Sequence, residues 1–376
     1  MPTKVKCLPS LKTGKYPVPS TVARRDLRAD DIEIKILYCG ICHSDIHHVR
    51  NNWGPDGYGY PVVPGHEIVG KVFRVGADVS KLQLLGNLRF WVGVGCMVDS
   101  CQTCATCKND REQYCASTSF TYGSLDRRDG SRTYGGYTET IVVAEKLCFP
   151  SLTALTLLAQ HRSFVRASQL TPRSVGGAAR PGSKVGVVGL GGLGHMASKL
   201  AKAMGADVTL FSRSQGKAEY AKRLGADHFL ISSDPEQMEA VAGQFDLIID
   251  TVPYNHDVNT CVKDLVPEGS LVLSPPLVPP PLVLRRQNLA GSLLGRIKET
   301  QEMLDFCGQH GIISDIEMID SRELHSAYEC VVKGDVKYRF VIDIPTLKIE
   351  IWRVGLNVKY RTSFLVWAKG KVSSTL

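Results

Sequence analysis

The hydrophobic and polar positions change rhythm near the middle of the chain. Before about residue 150, short β-prone runs alternate with Gly, Pro and Asp, as in "DDIEIKILYCG", "GHEIVGKVFRVG" and "GGYTETIVVAE". Runs of that length, bounded by turn residues, predict strands of a compact, mostly β domain of the barrel type. From "RPGSKVGVVGLGGLGHMASKLAKAMGADVTLFSRS" onward the texture differs. The apolar run Val185 to Val188 meets glycines, Met196, Leu200 and Met204 follow at helical spacing, and a second apolar run covers Val208 to Phe211. That order is β-α-β. "AKRLGADHFLIS", "FDLIIDTV" and "GSLVLS" continue the alternation, which predicts a parallel sheet covered by helices. No internal repeat is visible.

At 376 residues the chain exceeds the size at which one core keeps growing, so two domains are expected. Hydrophobic residues at 43% and charged residues at 22% exclude a disordered or collagen-like chain. The longest apolar-looking stretch, "SLVLSPPLVPPPLVL", is interrupted by five prolines, so no membrane span is expected. The N-terminus lacks a continuous apolar segment of the secretory kind, and the expectation is a cytoplasmic protein. Twelve cysteines in such a compartment point to metal ligation and core packing rather than disulfides. A net charge of +8 invites nucleic acid as a partner. However, Lys348, Arg353, Lys359, Arg361, Lys369 and Lys371, against Glu350 alone, concentrate the excess in residues 344–376. The body is near neutral, and nucleic acid is not an expected partner.

Three stretches carry candidate chemistry. "DSCQTCATCKNDREQYC" spaces Cys101, Cys104, Cys107 and Cys115 as C-x2-C-x2-C-x7-C, which suits a closed four-thiolate zinc site. A redox or iron–sulfur role uses similar spacings. "GLGGLG" places Gly189, Gly191, Gly192, Leu193 and Gly194 after a strand and at the start of a helix, the setting of a dinucleotide pyrophosphate on a helix N-terminus. Where an acid would bind the ribose 2′-hydroxyl of NAD, the second strand ends in "FSRSQGK". Ser212, Arg213, Ser214 and Lys217 suit a 2′-phosphate, so NADP(H) is favoured over NAD(H). "CGICHSDIHH" gathers two thiols and three imidazoles from Cys39 to His48, a pattern that fits either core packing or metal ligation.

Together with "YPVVPGHEIVG", "GGYTETIVV", "VGVVGLGGLGHM" and "ETQEMLDFCGQHGI", these motifs resemble the zinc-dependent medium-chain alcohol dehydrogenases, in particular their cinnamyl-alcohol-dehydrogenase-like branch. The likeness covers most of residues 5–343. It implies a GroES-like β-rich catalytic domain over 1–160, completed by 296–343, joined to a Rossmann domain with a doubly wound parallel sheet over 161–295, with 344–376 an atypical basic tail. It further implies a catalytic zinc held by Cys42 and His66, with Glu67 as an alternate ligand or a support behind them. Ser44 would pass the substrate proton, His47 would connect it to solvent, and Asp45 would orient His66. Cys39, His43 and His48 are assigned to packing or surface, and Phe120 to a modest aromatic wall of the substrate pocket. The implied activity is reversible NADPH-dependent reduction of an aldehyde by a homodimer.

Departures from the family pattern are local. No Cys occurs between Cys148 and Cys261, so the second thiolate of the Cys2His set known for alcohol dehydrogenase is missing; Ala159 falls at that position, with His161 nearby. Residues 82–91, 150–180 and the tail are off-pattern, and Arg296 replaces a small residue. Impaired turnover follows as an expectation. A zinc- and NADP-binding protein without turnover is the alternative.

Overall fold

The computed structural model describes residues 3–52, 59–80, 91–151, 179–252, 256–273, 288–291, 295–335 and 339–348. Six strands form a fully parallel sheet: Lys184–Val188 (β1), Asp207–Ser212 (β2), His228–Ile231 (β3), Phe245–Asp250 (β4), Leu265–Leu273 (β5) and Asn288–Gly291 (β6). Their spatial order is β3-β2-β1-β4-β5-β6, so the winding reverses between β1 and β4. That reversal opens a crevice at the carboxyl ends of these two strands, where ligands bind in open α/β sheets. β1 and β4 are buried along nearly their whole length, as expected of strands with helices on both faces. The helix Gly192–Ala203 packs Met196, Ala197, Leu200 and Ala201 onto β1, which explains the helical spacing of its apolar residues.

A second, seven-stranded sheet draws on both ends of the chain. Its path runs Glu317–Asp320, Phe340–Asp343, Asp31–Gly40, Ile68–Val75, Trp91–Val94 and Cys148–Ser151, with Thr140–Ala144 also paired to Asp31–Gly40. Asp31–Gly40 is flanked on several sides and reads as nearly continuous burial, whereas Ile68–Val75 alternates once it runs out toward solvent. The core between this sheet and the helix Leu324–Lys333 contains Ile34, Ile36, Ile68, Tyr137, Tyr328 and Ile342. Arg24 pins the neighbouring loop from inside. Its guanidinium donates to the carbonyls of Tyr134 (2.5 Å) and Gly135 (2.9 Å), and its Nε to that of Thr140 (2.8 Å).

Residues 349–376, 81–90 and 152–178, and with them Ala159 and His161, lie outside the described residues. No helix among the described residues is long and apolar enough to cross a membrane.

One buried carboxylate makes the fold pH-sensitive. Asp264 closes the helix Asn259–Asp264 just before β5, is 2% exposed, and leaves Oδ2 without a hydrogen-bond partner. Burial pushes its pKa up to about 7. The folded state therefore holds a proton that the unfolded chain gives up near pH 4, and stability is lost as pH rises through that window to about 7. Asp264→Asn is expected to raise Tm at pH 8 and to leave it nearly unchanged at pH 5; equal shifts at both pH values would refute this account.

Candidate active site and zinc lobe

Local folding at the helix His43–Arg50 sets the first site. Cys42 is the N-cap residue in extended conformation, and Asp45 reaches back so that its Oδ2 accepts the Cys42 amide at 2.8 Å. The other oxygen, Oδ1, accepts the Gly65 amide at 3.0 Å and the Tyr122 hydroxyl at 2.7 Å, and stands 3.3 Å from His66 Nδ1. One buried carboxylate thus fixes a thiol at a helix start and an imidazole at a strand entrance. With His66 Nδ1 engaged, Nε2 is the ring nitrogen left for a ligand.

Cys42, His66 and Glu67 each bring a ligand atom within 4.8 Å of the others. Glu67 Oε1 accepts from Arg339 Nη1 at 2.5 Å, and the same nitrogen donates to the Ile41 carbonyl at 2.6 Å. Removing one partner of such a buried pair typically costs about 3–5 kcal/mol. The electrostatics fit a cation. Burial alone would push the Cys42 thiol up, but Arg339 and His66 hold it below the usual range. Burial likewise opposes the charge on His66, yet Cys96, Asp45 and Cys42 raise its pKa well above the ordinary imidazole value. The Cys42 thiolate, Asp45 and Glu67, the last with its pKa raised by burial, exceed Arg339 and a protonated His66 by one charge, and by two once His66 gives up its proton to a metal.

Ser44 and His47 lie in the same helix, both half-buried. His47 Nδ1 accepts from the Asn52 amide nitrogen at 3.0 Å, which leaves its proton on Nε2. Burial, and then Arg50, lower its pKa, so it is neutral at pH 7. His43, assigned above to packing or surface, lines the crevice; burial, Arg339 and His47 push its pKa down to about 4. Phe120 is partly exposed in the short strand Ser119–Phe120 and is not among the residues lining the crevice.

The crevice has a volume of about 1010 Å³. Its Rossmann wall comprises Gly189 to Gly192, Ser212, Arg213, Ser214 and Lys217, and its other wall includes His43, Val331 and Arg339. Leu193 and Gly194 open the helix behind the glycine turn. A Cβ on Gly194 would lie 1.9 Å from the Gly189 carbonyl oxygen, so only glycine lets the helix start this close to the strand. Thr251 Oγ1 at the end of β4 donates to the Val188 carbonyl at 2.8 Å and ties the two crevice strands together.

The second site is the cysteine lobe. Cys101, Cys104, Cys107 and Cys115 also gather within 4.8 Å, around the short helix Ala105–Lys108. The Cys104 amide donates to Cys101 Sγ at 3.3 Å, and backbone amides of Thr103 and Cys104 lower the Cys101 thiol to about 5. Amides directed at sulfur stabilise thiolates before any ion arrives. Four sulfurs and no other donor make a closed tetrahedral set, the arrangement of a structural zinc. Tyr122 and Arg339 were not singled out by the sequence, because each acts across a large separation; only the adjacency of Tyr122 to the cysteine lobe could have hinted at it.

A Rossmann crevice lined by His43 and Arg339, the neighbours of a Cys–His–Glu cluster, with a separate four-cysteine lobe, suits a zinc-binding nucleotide-dependent dehydrogenase. The family model "Alcohol dehydrogenase GroES-like domain" matches residues 28–153, and "Zinc-binding dehydrogenase" matches residues 192–309. A probable mannitol dehydrogenase of Medicago sativa is 46% identical over 334 residues, 87% of this chain and 91% of that protein. The solved cinnamyl alcohol dehydrogenase of Sorghum bicolor superposes with a TM-score of 0.87 at 38% identity, over 93% of this chain and 100% of that one. The CAD of Helicobacter pylori in complex with NADP(H) superposes at 0.81 with 36% identity, over 92% and 99%. The chain belongs to the zinc-dependent medium-chain alcohol dehydrogenases, in their cinnamyl-alcohol-dehydrogenase-like branch.

Two outcomes follow. Cys104→Ser is expected to release one zinc per chain and lower Tm, because zinc binding in such a lobe is folding free energy; unchanged melting with full zinc would refute a structural lobe. Tyr122→Phe removes a hydrogen bond to Asp45 while keeping the ring, and should weaken zinc retention at Cys42 and His66 by roughly tenfold in chelator competition. The lobe zinc serves as the internal reference, and equal retention at both sites in the variant and the parent would count against the role of Tyr122.

Proposed function

We propose that the chain is an NADPH-dependent aldehyde reductase, reversible to alcohol oxidation, acting on an aromatic or aliphatic aldehyde of the cinnamaldehyde kind. The observation that carries this reading is the shared crevice. Ser212, Arg213, Ser214 and Lys217 line it together with His43 and Arg339, which stand beside Cys42 and Glu67. The hydroxyls and cations at the end of β2 support a 2′-phosphate, and no acid occurs from Val208 to Ala218 to bind a ribose hydroxyl instead. The Helicobacter pylori relative, solved with NADP(H), supports the same cofactor.

Cys42 and His66 would hold a zinc, with Glu67 behind them on Arg339, and the pyrophosphate would rest on the helix start at Gly191 to Gly194. When bound, the zinc supplies Lewis-acid polarisation of the substrate oxygen, and NADPH supplies the hydride. Ser44 stands two residues beyond Cys42 and offers a hydroxyl to relay the alcohol proton. His47, neutral with its proton on Nε2, hands protons on toward solvent. Asp45 keeps His66 in the tautomer that presents Nε2. The alternative of a binding protein without turnover gains no support from relatives named as dehydrogenases. Turnover limited by zinc occupancy, rather than lost, fits the absence of Cys from 149 to 260. Among the described residues β6 pairs only with β5, and this open edge supports a homodimer.

Initial rates of NADPH and NADH oxidation with an aromatic aldehyde test the reading. Replacing both Arg213 and Lys217 by Ala should weaken NADPH by at least about tenfold, the equivalent of one charge-assisted hydrogen bond, and leave NADH nearly unchanged. Equal preference for the two cofactors in the parent protein would overturn the NADP assignment.

A further inference from the structure

We propose that His256, oriented by Asp250, is a cofactor-binding residue that lies against the adenine ring of NADPH. This role rests on reading the crevice as the dinucleotide site. It gives that site a wall which neither the glycine turn nor the segment Ser212 to Lys217 supplies.

Asp250 ends β4 directly opposite Val188, the last residue of β1, so its carboxylate stands where the strand order reverses. It is 1% exposed. Oδ1 accepts the Val252 amide at 3.0 Å, and Oδ2 stands 3.0 Å from His256 Nε2. The residue after His256 is anchored as well. Asp257 Oδ1 accepts the Asn259 backbone amide at 2.9 Å and the Asn259 side-chain amide at 2.7 Å, and Thr260 Oγ1 donates to the Asp257 carbonyl at 3.1 Å. Ring and backbone are thus held from two directions, and the imidazole lines the crevice with 26% of its side chain accessible. An imidazole placed only to offset the Asp250 charge needs no such surface.

Packing decides which half of the cofactor meets the ring. The helix Asn259–Asp264 buries Cys261 and Val262 in one apolar cluster with Phe211 of β2, and Leu230 of β3 and Met238 pack against the same cluster. The helix Gly192–Ala203 lies on the other face of the sheet, with Val185, Val187 and Leu247. The segment from His256 to Cys261 therefore shares its face with the ends of β2 and β3, where Ser212 to Lys217 suit the 2′-phosphate of the adenosine ribose. Charge then selects the group. The carboxylates of Asp250 and Asp257 beside the ring would repel a phosphate, whereas an uncharged base meets no such repulsion. A purine presents a flat face, which suits an imidazole plane together with Met238 and Cys261, the polarizable side chains that line the same crevice.

Fluorescence of the reduced nicotinamide gives Kd for the full chain without turnover. His256→Ala, a change at an accessible ring, should raise Kd for NADPH and for NADH by about tenfold each, the worth of one base stacked on a planar side chain, and leave Tm unchanged. Reduced nicotinamide mononucleotide lacks the adenosine half, and its Kd should stay as in the parent. Asp250→Asn should weaken NADPH less than His256→Ala does, and should add nothing in the double variant, because Asp250 acts through the ring. An unaltered NADPH Kd in His256→Ala overturns the proposal, and so does an equal loss for the mononucleotide. If the paired Ala replacements of Arg213 and Lys217 still weaken NADPH in that case, the crevice remains the NADP(H) site. Additive losses in the double variant overturn the part given to Asp250. A parent that binds neither dinucleotide overturns the cofactor reading and the proposal together.

Discussion

The site depends on a single buried carboxylate. Asp45 is fully shielded, and it is affordable inside the protein only because each oxygen is occupied: one by the Cys42 amide, the other by Gly65, Tyr122 and His66. Burial would push its pKa up, but His66, Tyr122 and the Cys42 amide hold it down. A carboxylate kept charged in this way does three things at once. It caps a helix, seats a strand entrance against that helix, and fixes the face an imidazole presents. Structural and chemical roles cannot be separated there, because the groups that stabilise the charge are the groups that carry the proposed ligands.

The same economy governs the crevice. The reversal of strand order between β1 and β4 creates the opening, and the glycine turn brings a helix N-terminus to its rim. The opposite wall is made by Ile41 and His43, by the end of the helix Leu324–Lys333, and by Arg339, which leads into the strand Phe340–Asp343 from the far end of the chain. Arg339 sits one residue before Phe340–Asp343 and reaches Glu67 and Ile41, so the C-terminal return strand delivers a cation to an N-terminal site. The crevice is thereby coupled to the closure of the β-rich sheet.

What could be read from the chain depended on sequence separation. The strands at Asp31–Gly40, Ile68–Val75 and Lys184–Val188 were visible in their runs, and the four-cysteine lobe and the glycine turn were visible in their spacings, because a few adjacent residues make each of them; the set of Cys42, His66 and Glu67 came only from the family resemblance. Tyr122 and Arg339 were not, since their partners Asp45 and Glu67 stand 77 and 272 residues away. His43 was read as a packing or surface position, because a helix N-terminus has several faces and sequence does not say which one meets the crevice. Composition was equally silent about Asp264, whose burial follows from where its helix abuts β5.

The two thiol clusters also show why similar residues are put to different use. In the lobe, amides and a hydroxyl aimed at Cys101 and Cys104 stabilise their thiolate charge locally, while burial pushes Cys107 up to about 12, and the four sulfurs lie together in one short loop. At Cys42 the stabilisation is remote: it comes from Arg339 and from an imidazole that Asp45 holds in place, so the donor set is assembled from separate elements and remains open. An open site tolerates exchange of one ligand because its remaining donors are positioned by their own hydrogen bonds rather than by one another. Cys42 and His66 are therefore held in place by Asp45, although the chain has no Cys near residue 159. The lobe differs, since all four of its sulfurs come from one short loop, Cys101 to Cys115.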